Sequence, residues 1–365
     1  MKKIAILLIL IFTVLFVSSC SKKETLLFLN WGEYISDDLV SAFEDKYHVR
    51  VVVDIAESNE LFYAKLKSGT TKYDLCCPSD YMIEKMYLNN LISEIEIDKL
   101  ENYKDGIFMD EVYQIMNEMN DSMKDLKEDY ENQDISKYHV PYFWGTFGLM
   151  YNKENPIFSD LDNNFKPDIF EEENAWKIYF FDESIDDKYK LPLDLRIGMY
   201  NVVRFSYAAS MIYNMSNPNA ILNEVNQNSF KEILSRRKYT LWGGDTLKHS
   251  IVADNLDLAF NYTGDCLDMA YVKIQDDGLN FEDLSFYTFT PEVTIAHIDS
   301  LVIPKGARHY DLALKFIDFM LDPVSEWINA RNVGYCPPLQ ETYDMIVSSS
   351  TPDTNKYPYA DFGKE

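Results

Sequence analysis

Residues 27 to 34, Leu-Phe-Leu-Asn-Trp-Gly-Glu-Tyr, run from an apolar segment straight into two aromatic rings and a carboxylate. The apolar part reads as a short buried strand. In α/β proteins the carboxyl ends of strands open into the ligand crevice, so Trp31, Glu33 and Tyr34 are candidate ligand residues. Their chemistry suits an organic cation: ring faces offer cation–π contacts, and a carboxylate supplies charge and hydrogen-bond acceptors. The plainer alternative makes both rings core aromatics and Glu33 a solvated turn residue.

The same pairing recurs. Ser79, Asp80 and Tyr81 follow a strand-like run from Tyr73 to Cys77. Asp194 and Arg196 follow Lys190-Leu-Pro-Leu, Asp265 follows Tyr262-Thr-Gly, and Asp299 precedes Ser300-Leu-Val-Ile-Pro. One such acid is usually a solvated turn residue. Repetition at successive strand ends instead points to several carboxylates and aromatics converging on one crevice.

Elements able to position these residues follow from patterning. Ser36 can cap a helix with Asp37 and Asp38 in its first turn and Leu39, Val40, Phe43 and Tyr47 on its apolar face. Val49 to Ile55 is β-branched and strand-like. A helix from about Glu60 to Lys67 stops at Gly69, and Ser79 opens another, with Ile83, Met86 and Tyr87 inward. This β-α-β-α-β-α order predicts a largely parallel sheet flanked by helices. Residues 101 to 137 read as exposed acidic helix, of the kind an insertion would supply. His139 to Trp144 and Phe147 to Tyr151 read as strand around Gly145, Met199 to Tyr213 as a buried helix, and Leu256 to Tyr262 as strand. Tyr310 to Leu321 reads as an apolar helix, and Pro323 begins the next. Two lobes joined by strands crossing near residues 144 and 264 fit this order.

The amino terminus reads as a targeting signal. Lys2 and Lys3 precede the apolar Ile4 to Val17, and Val17-Ser-Ser-Cys20 follows. This stretch resembles the lipobox of bacterial lipoproteins, in which the cysteine is lipidated; the apolar run is short for a full span. The expected mature protein is soluble, tethered through Cys20, and located in the periplasm or on the outer face of the cytoplasmic membrane. The 365 residues carry 60 acidic against 34 basic side chains, a net charge of -26. Such a surface disfavours nucleic acid and attracts cations. Cys76, Cys77, Cys266 and Cys336 remain after the signal; they are either buried small hydrophobes or form a bridge from Cys76 or Cys77 to Cys266 or Cys336. Their spacing matches no zinc site.

The chain resembles the spermidine/putrescine-binding proteins of bacterial ABC transporters. The resemblance is densest in Leu29-Asn-Trp-Gly-Glu-Tyr34, Glu57-Ser-Asn-Glu60, Tyr63-Ala-Lys-Leu-Lys67, Tyr73-Asp-Leu75 with Pro78-Ser79, and Val140-Pro-Tyr-Phe-Trp-Gly145. It resumes at Asp299-Ser-Leu-Val-Ile-Pro304 and at Gly334-Tyr335 followed by Pro337. It implies an α/β, two-lobe periplasmic-binding-protein fold of type II with the ligand cleft between lobes. The expected divisions are a lipoprotein signal peptide over 1–19, lobe 1 over 20–144, and lobe 2 over 145–263. Lobe 1 returns over 264–309, and C-terminal helices over 310–365 pack mainly on lobe 2. The implied role is capture of a polyamine by hinge closure and its delivery to an ABC transporter permease in the membrane, with no cofactor, metal or catalytic residue. By the same resemblance Trp31, Tyr34 and Tyr81 stack on ligand, Glu33 and Asp194 meet ammonium groups, Asp265 and Asp299 face the cleft, and Ser79 and Tyr262 line it.

Three positions depart from the family pattern. Ile197 stands where an acid is frequent, His297 where an aromatic such as Trp is common, and Gly32 where many members carry a small polar side chain. A charged His297 would repel a polyamine and weaken binding at acid pH. Alternative functions are a glycosidase using paired carboxylates, the same fold holding another solute, and a sensor or adhesin lipoprotein. No Gly-rich phosphate loop, GxSxG elbow or HExxH motif is present, and acid count alone leaves calcium open.

Overall fold

The computed structural model describes residues 23–126, 133–162, 165–171, 174–216 and 223–348. The expected signal peptide and Cys20 lie outside these residues. The chain opens with β1 (Thr25–Asn30), α1 (Asp37–Tyr47), β2 (Arg50–Ile55), α2 (Asn59–Ser68), β3 (Leu75–Cys76) and α3 (Asp80–Leu88). The strands are parallel in the order β2-β1-β3. Local chemistry sets the boundaries. The Ser58 side chain accepts from the Leu61 amide at the start of α2, and Gly69 ends it at φ 61°, a conformation glycine adopts without Cβ strain. Ser36 precedes α1, yet its side chain makes no cap. Its hydroxyl accepts from Asn332 instead, and its amide donates to Asn329.

After β4 (Ile92–Ser93) comes α4 (Asp110–Leu126). This helix was expected to be exposed. Val112, Met116, Met119 and Met123 are buried and fall at helical spacing on one face, so only its opposite face meets solvent. The next strand, β5 (Val140–Asn152), is a single element spanning both lobes. Val140–Phe143 are buried in the first core and Phe147–Asn152 in the second, while Trp144, Gly145 and Thr146 between them are half-buried.

The second lobe contains α5 (Ala175–Tyr179), β6 (Ile197–Tyr200), α6 (Val203–Tyr213), α7 (Glu224–Ser235), β7 (Leu241–Gly243), α8 (Thr246–Val252), β8 (Leu258–Tyr262), α9 (Thr263–Asp277) and β9 (Phe286–Phe289). Its strands run β5-β8-β6-β7, with β9 on the other side of β5. The expected helix over 199–213 begins only at Val203, because Ile197–Tyr200 pairs in parallel with β7 and β8.

The chain returns through β10 (Ala296–Leu301), antiparallel to residues 140–146 of β5. It ends in β11 (Ile303–Pro304), α10 (Tyr310–Met320), α11 (Pro323–Val333) and α12 (Gln340–Val347). The second crossing thus lies between Phe289 and Ile298, not near residue 264. Residues Thr263-Gly-Asp265 start α9, whose Cys266, Met269 and Ala270 join the second core. The C-terminal helices also pack differently from expectation. Phe316 lies 5.5 Å from Phe28 and 4.9 Å from Phe43, which places α10 on the first lobe. Its amphipathic face covers the open side of the parallel sheet. Among the described residues no helix is long and apolar enough to cross a membrane.

Candidate ligand cleft

Asp299 lies on β10 immediately before a register shift in its pairing with β5. The residue is 6% exposed. The Tyr34 hydroxyl donates to one oxygen at 2.7 Å and the Ser79 hydroxyl to the other at 2.6 Å. Asn59 holds Ser79 in place, donating to its hydroxyl at 2.9 Å and accepting from its amide at 3.0 Å. Burial pushes the Asp299 carboxyl up to about 6, while the two hydroxyl bonds pull it down. Each oxygen retains acceptor capacity beyond the one bond it receives.

Aromatic rings surround this acid. Tyr34 packs edge-on against Tyr335 at 5.0 Å and Phe143 at 5.2 Å. From the second lobe, Tyr262 meets Phe147 at 4.0 Å, His297 at 4.7 Å and Tyr200 at 5.5 Å. Burial lowers the His297 imidazole to about 4, so it is neutral at ordinary pH. The acid-pH repulsion expected from His297 is therefore confined to pH near 4.

Asp265, in the first turn of α9, is 2% exposed. Asn261 donates to it at 3.1 Å, the Tyr335 hydroxyl at 3.4 Å, and the Lys248 ammonium stands 3.8 Å away while pairing Asp268 at 2.6 Å. Burial lifts its pKa to about 6, and Lys248 opposes that shift. Asp265 thus shares a protein cation, which sequence spacing did not reveal.

Tyr81, in the first turn of α3, packs against both cores. Its hydroxyl approaches Glu60 at 3.5 Å. The Arg204 guanidinium, from the first turn of α6, lies 4.5 Å from the Tyr81 ring centre, and Phe205 meets the same ring at 6.4 Å. Asp80 is raised by burial, and Arg204 is the leading charge that lowers it.

The structure therefore brings together Tyr34, Ser79, Tyr81, Tyr262, Asp265 and Asp299. Three other candidates stand apart from this cluster. Trp31 is half-buried and packs on Phe62 at 4.7 Å. Glu33 is exposed at φ 53°, as the turn-residue alternative holds. Asp194 is exposed in a turn before β6. That is the amino end of the strand, whereas its carboxyl end, Tyr200, reaches Tyr262. The expected strand at Lys190-Leu-Pro-Leu does not form. Arg196 instead ties the amino end of β6 to Asp257 at 2.6 Å and Asp254 at 2.7 Å. Asp194 would have to act from the wrong end of its strand.

Residues absent from the expected site are Tyr335, Tyr200, Arg204 and Lys248. Tyr335 had a signal: Gly334, at φ 83°, ends α11 and turns the next residue back toward the cleft. Arg204 reaches Tyr81 of the first lobe and Lys248 reaches Asp265 and Asp268 within the second, and only three-dimensional packing reveals either contact. Cys76, Cys77 and Cys266 are buried free thiols, and Cys336 is a half-buried one. No group of three or more metal-ligating side chains occurs among the described residues.

Comparison with known proteins gives a consistent picture. The family described as bacterial extracellular solute-binding protein matches residues 30–326. The spermidine/putrescine-binding periplasmic protein of Salmonella typhimurium is 26% identical over 341 residues, 93% of this chain and 85% of that protein. The putrescine-binding periplasmic protein SpuD of Pseudomonas aeruginosa is 25% identical over 309 residues, 84% of this chain and 76% of that protein. Among solved structures, the spermidine/putrescine ABC transporter substrate-binding protein PotD of Streptococcus pneumoniae superposes with a TM-score of 0.67 at 23% identity, covering 92% of this chain and 89% of that one. That likeness shows the two-lobe fold. With a match extending from the end of β1 into α11, the chain belongs to the family of bacterial extracellular solute-binding proteins.

Proposed function

We propose that this protein captures an aliphatic polyamine in the cleft between its lobes and delivers it to an ABC transporter permease. The observation that carries the reading is the Asp299 carboxylate, buried among aromatic rings and held by Tyr34 and Ser79. A buried carboxylate is costly unless a cation pairs it. A polyamine offers that cation on a methylene rod which tyrosine faces can cover. The printed names of the relatives, which bind putrescine and spermidine, support the same ligand class.

Closure of the two lobes about β5 and β10 would desolvate the pair, in the manner of hinge-closing binding proteins. Cys20 supplies the lipid tether in this reading, holding the protein at the outer face of the cytoplasmic membrane beside its permease. No bond is made or broken. The test is calorimetric titration of the chain from residue 21 onward, which keeps every described residue, with putrescine and with spermidine. One-to-one binding of either supports the proposal. Absence of heat from folded, ligand-free protein refutes it.

A further inference from the structure

Tyr81 and Asp80 together form what an ammonium group would seek, an aromatic face beside a carboxylate, and the protein has filled that place itself. The two residues begin α3 in the first lobe, with Glu84 one turn on and Glu60 beside the Tyr81 hydroxyl. Arg204 begins α6 in the second lobe and lays its guanidinium 4.5 Å from the Tyr81 ring centre. Its charge acts on Asp80, Glu84 and Tyr81 alike. Elsewhere in the second lobe Lys248 stands against Asp265 and Asp268. Asp299 differs: hydroxyls hold it, and no cation among the described residues shares it.

Resting on the polyamine reading, we propose that Arg204 is a specificity-determining residue that occupies an ammonium subsite at Tyr81 and biases the cleft toward short diamines over longer triamines. A planar guanidinium stacks on an aromatic face and remains charged throughout the accessible pH range. An incoming ammonium at that end meets repulsion as well as an occupied ring. A short diamine can pair Asp299 without reaching Tyr81, whereas a triamine must place its additional charge elsewhere in the cleft. Selection of this kind works by a built-in repulsive element.

The experiment titrates wild-type protein, Arg204→Gln and Arg204→Lys with putrescine and spermidine. The result expected is a rise of at least about tenfold in spermidine affinity relative to putrescine in Arg204→Gln. Arg204→Lys, which keeps the charge but loses the planar stack, moves the ratio in the same direction by less. A latch that merely holds the lobes together would change both affinities by the same factor. An unchanged ratio in Arg204→Gln therefore overturns the assignment while leaving polyamine binding intact. Failure of wild type and both variants to bind either amine, with all three folded, overturns the polyamine reading and this assignment with it.

Discussion

The Tyr34 hydroxyl donates to the Asp299 carboxylate at 2.7 Å across 265 positions of sequence. The contact joins the loop after the first strand to a strand that returns from the second lobe. Asp299 can therefore be tested without dismantling the fold. In Asp299→Asn the amide oxygen still accepts from one hydroxyl, and its NH₂ can donate to the other. Ligand-free stability is expected to change by no more than about 1 kcal/mol. Polyamine affinity should fall by about 3–5 kcal/mol, because a buried ammonium loses its partner. Thermal melts and calorimetry on the same protein separate the two effects. Unchanged affinity would remove Asp299 from the site.

Asp265 should behave differently, although both carboxylates are buried and both are raised to about 6. Lys248 and Asn261 already face Asp265. Asp265→Asn is thus expected to lower polyamine affinity by less than about tenfold, well below the Asp299→Asn loss. Equal losses would mean that ligand displaces Lys248 from Asp265.

These two acids show what the sequence could and could not reveal. Both look alike in sequence as carboxylates beside strand ends, and both are buried, one bonded to Tyr34 and the other to Tyr335, whose rings pack together. The early β-α-β order, the Gly69 stop and the Pro323 start were legible because each depends on local chemistry: hydrophobic period, a left-handed cap, a fixed proline φ. Gly145 looks in sequence like a break between two strands, whereas β5 runs continuously because each of its ends packs into a different core. Asp194 reads as a strand-end acid only if Lys190-Leu-Pro-Leu is a strand; the strand of the structure is Ile197–Tyr200, which leaves Asp194 before its amino end. The pairing of Lys248 with Asp265, and of Arg204 with Tyr81, depends on how helices pack in three dimensions, and no local pattern records it.

Binding should strengthen with pH through the acidic range. Asp299 and Asp265, both raised to about 6 by burial, are largely protonated at pH 5 in the ligand-free cleft. An ammonium ligand requires the carboxylate form, so binding at pH 5 carries the cost of releasing a proton. That cost is about 1.4 kcal/mol for each pH unit below the pKa of each group involved. His297 stays neutral until about pH 4 and adds little over this range. Asp299, the acid that pairs the ammonium in this reading, carries one such cost, so the expected outcome is a decrease of about tenfold in affinity from pH 7.5 to pH 5, with net proton release on binding at pH 5. Calorimetry in two buffers of different ionisation enthalpy reads that release directly. A flat profile would show that the acids meeting the ligand are ionised already.

Two glycines separate closure from folding. A Cβ on Gly264 would stand 2.8 Å from the Tyr335 ring, which belongs to the opposite lobe. A Cβ on Gly198 would stand 2.7 Å from Leu247 and 2.8 Å from Leu256, both inside the second core. Overpacking a core costs roughly 1–3 kcal/mol, so Gly198→Ala should lower thermal stability directly. Gly264 lies in the first turn of α9 without a positive φ, so alanine suits its backbone and the conflict falls on the lobe contact. Gly264→Ala should therefore keep a near wild-type melting temperature without ligand, yet bind polyamine at least about tenfold more weakly, because Tyr335 can no longer seat against α9. Small-angle scattering with saturating ligand would show a more open molecule than wild type. If Gly264→Ala closes and binds normally, Tyr335 adjusts its ring without cost and the contact plays no part in capture.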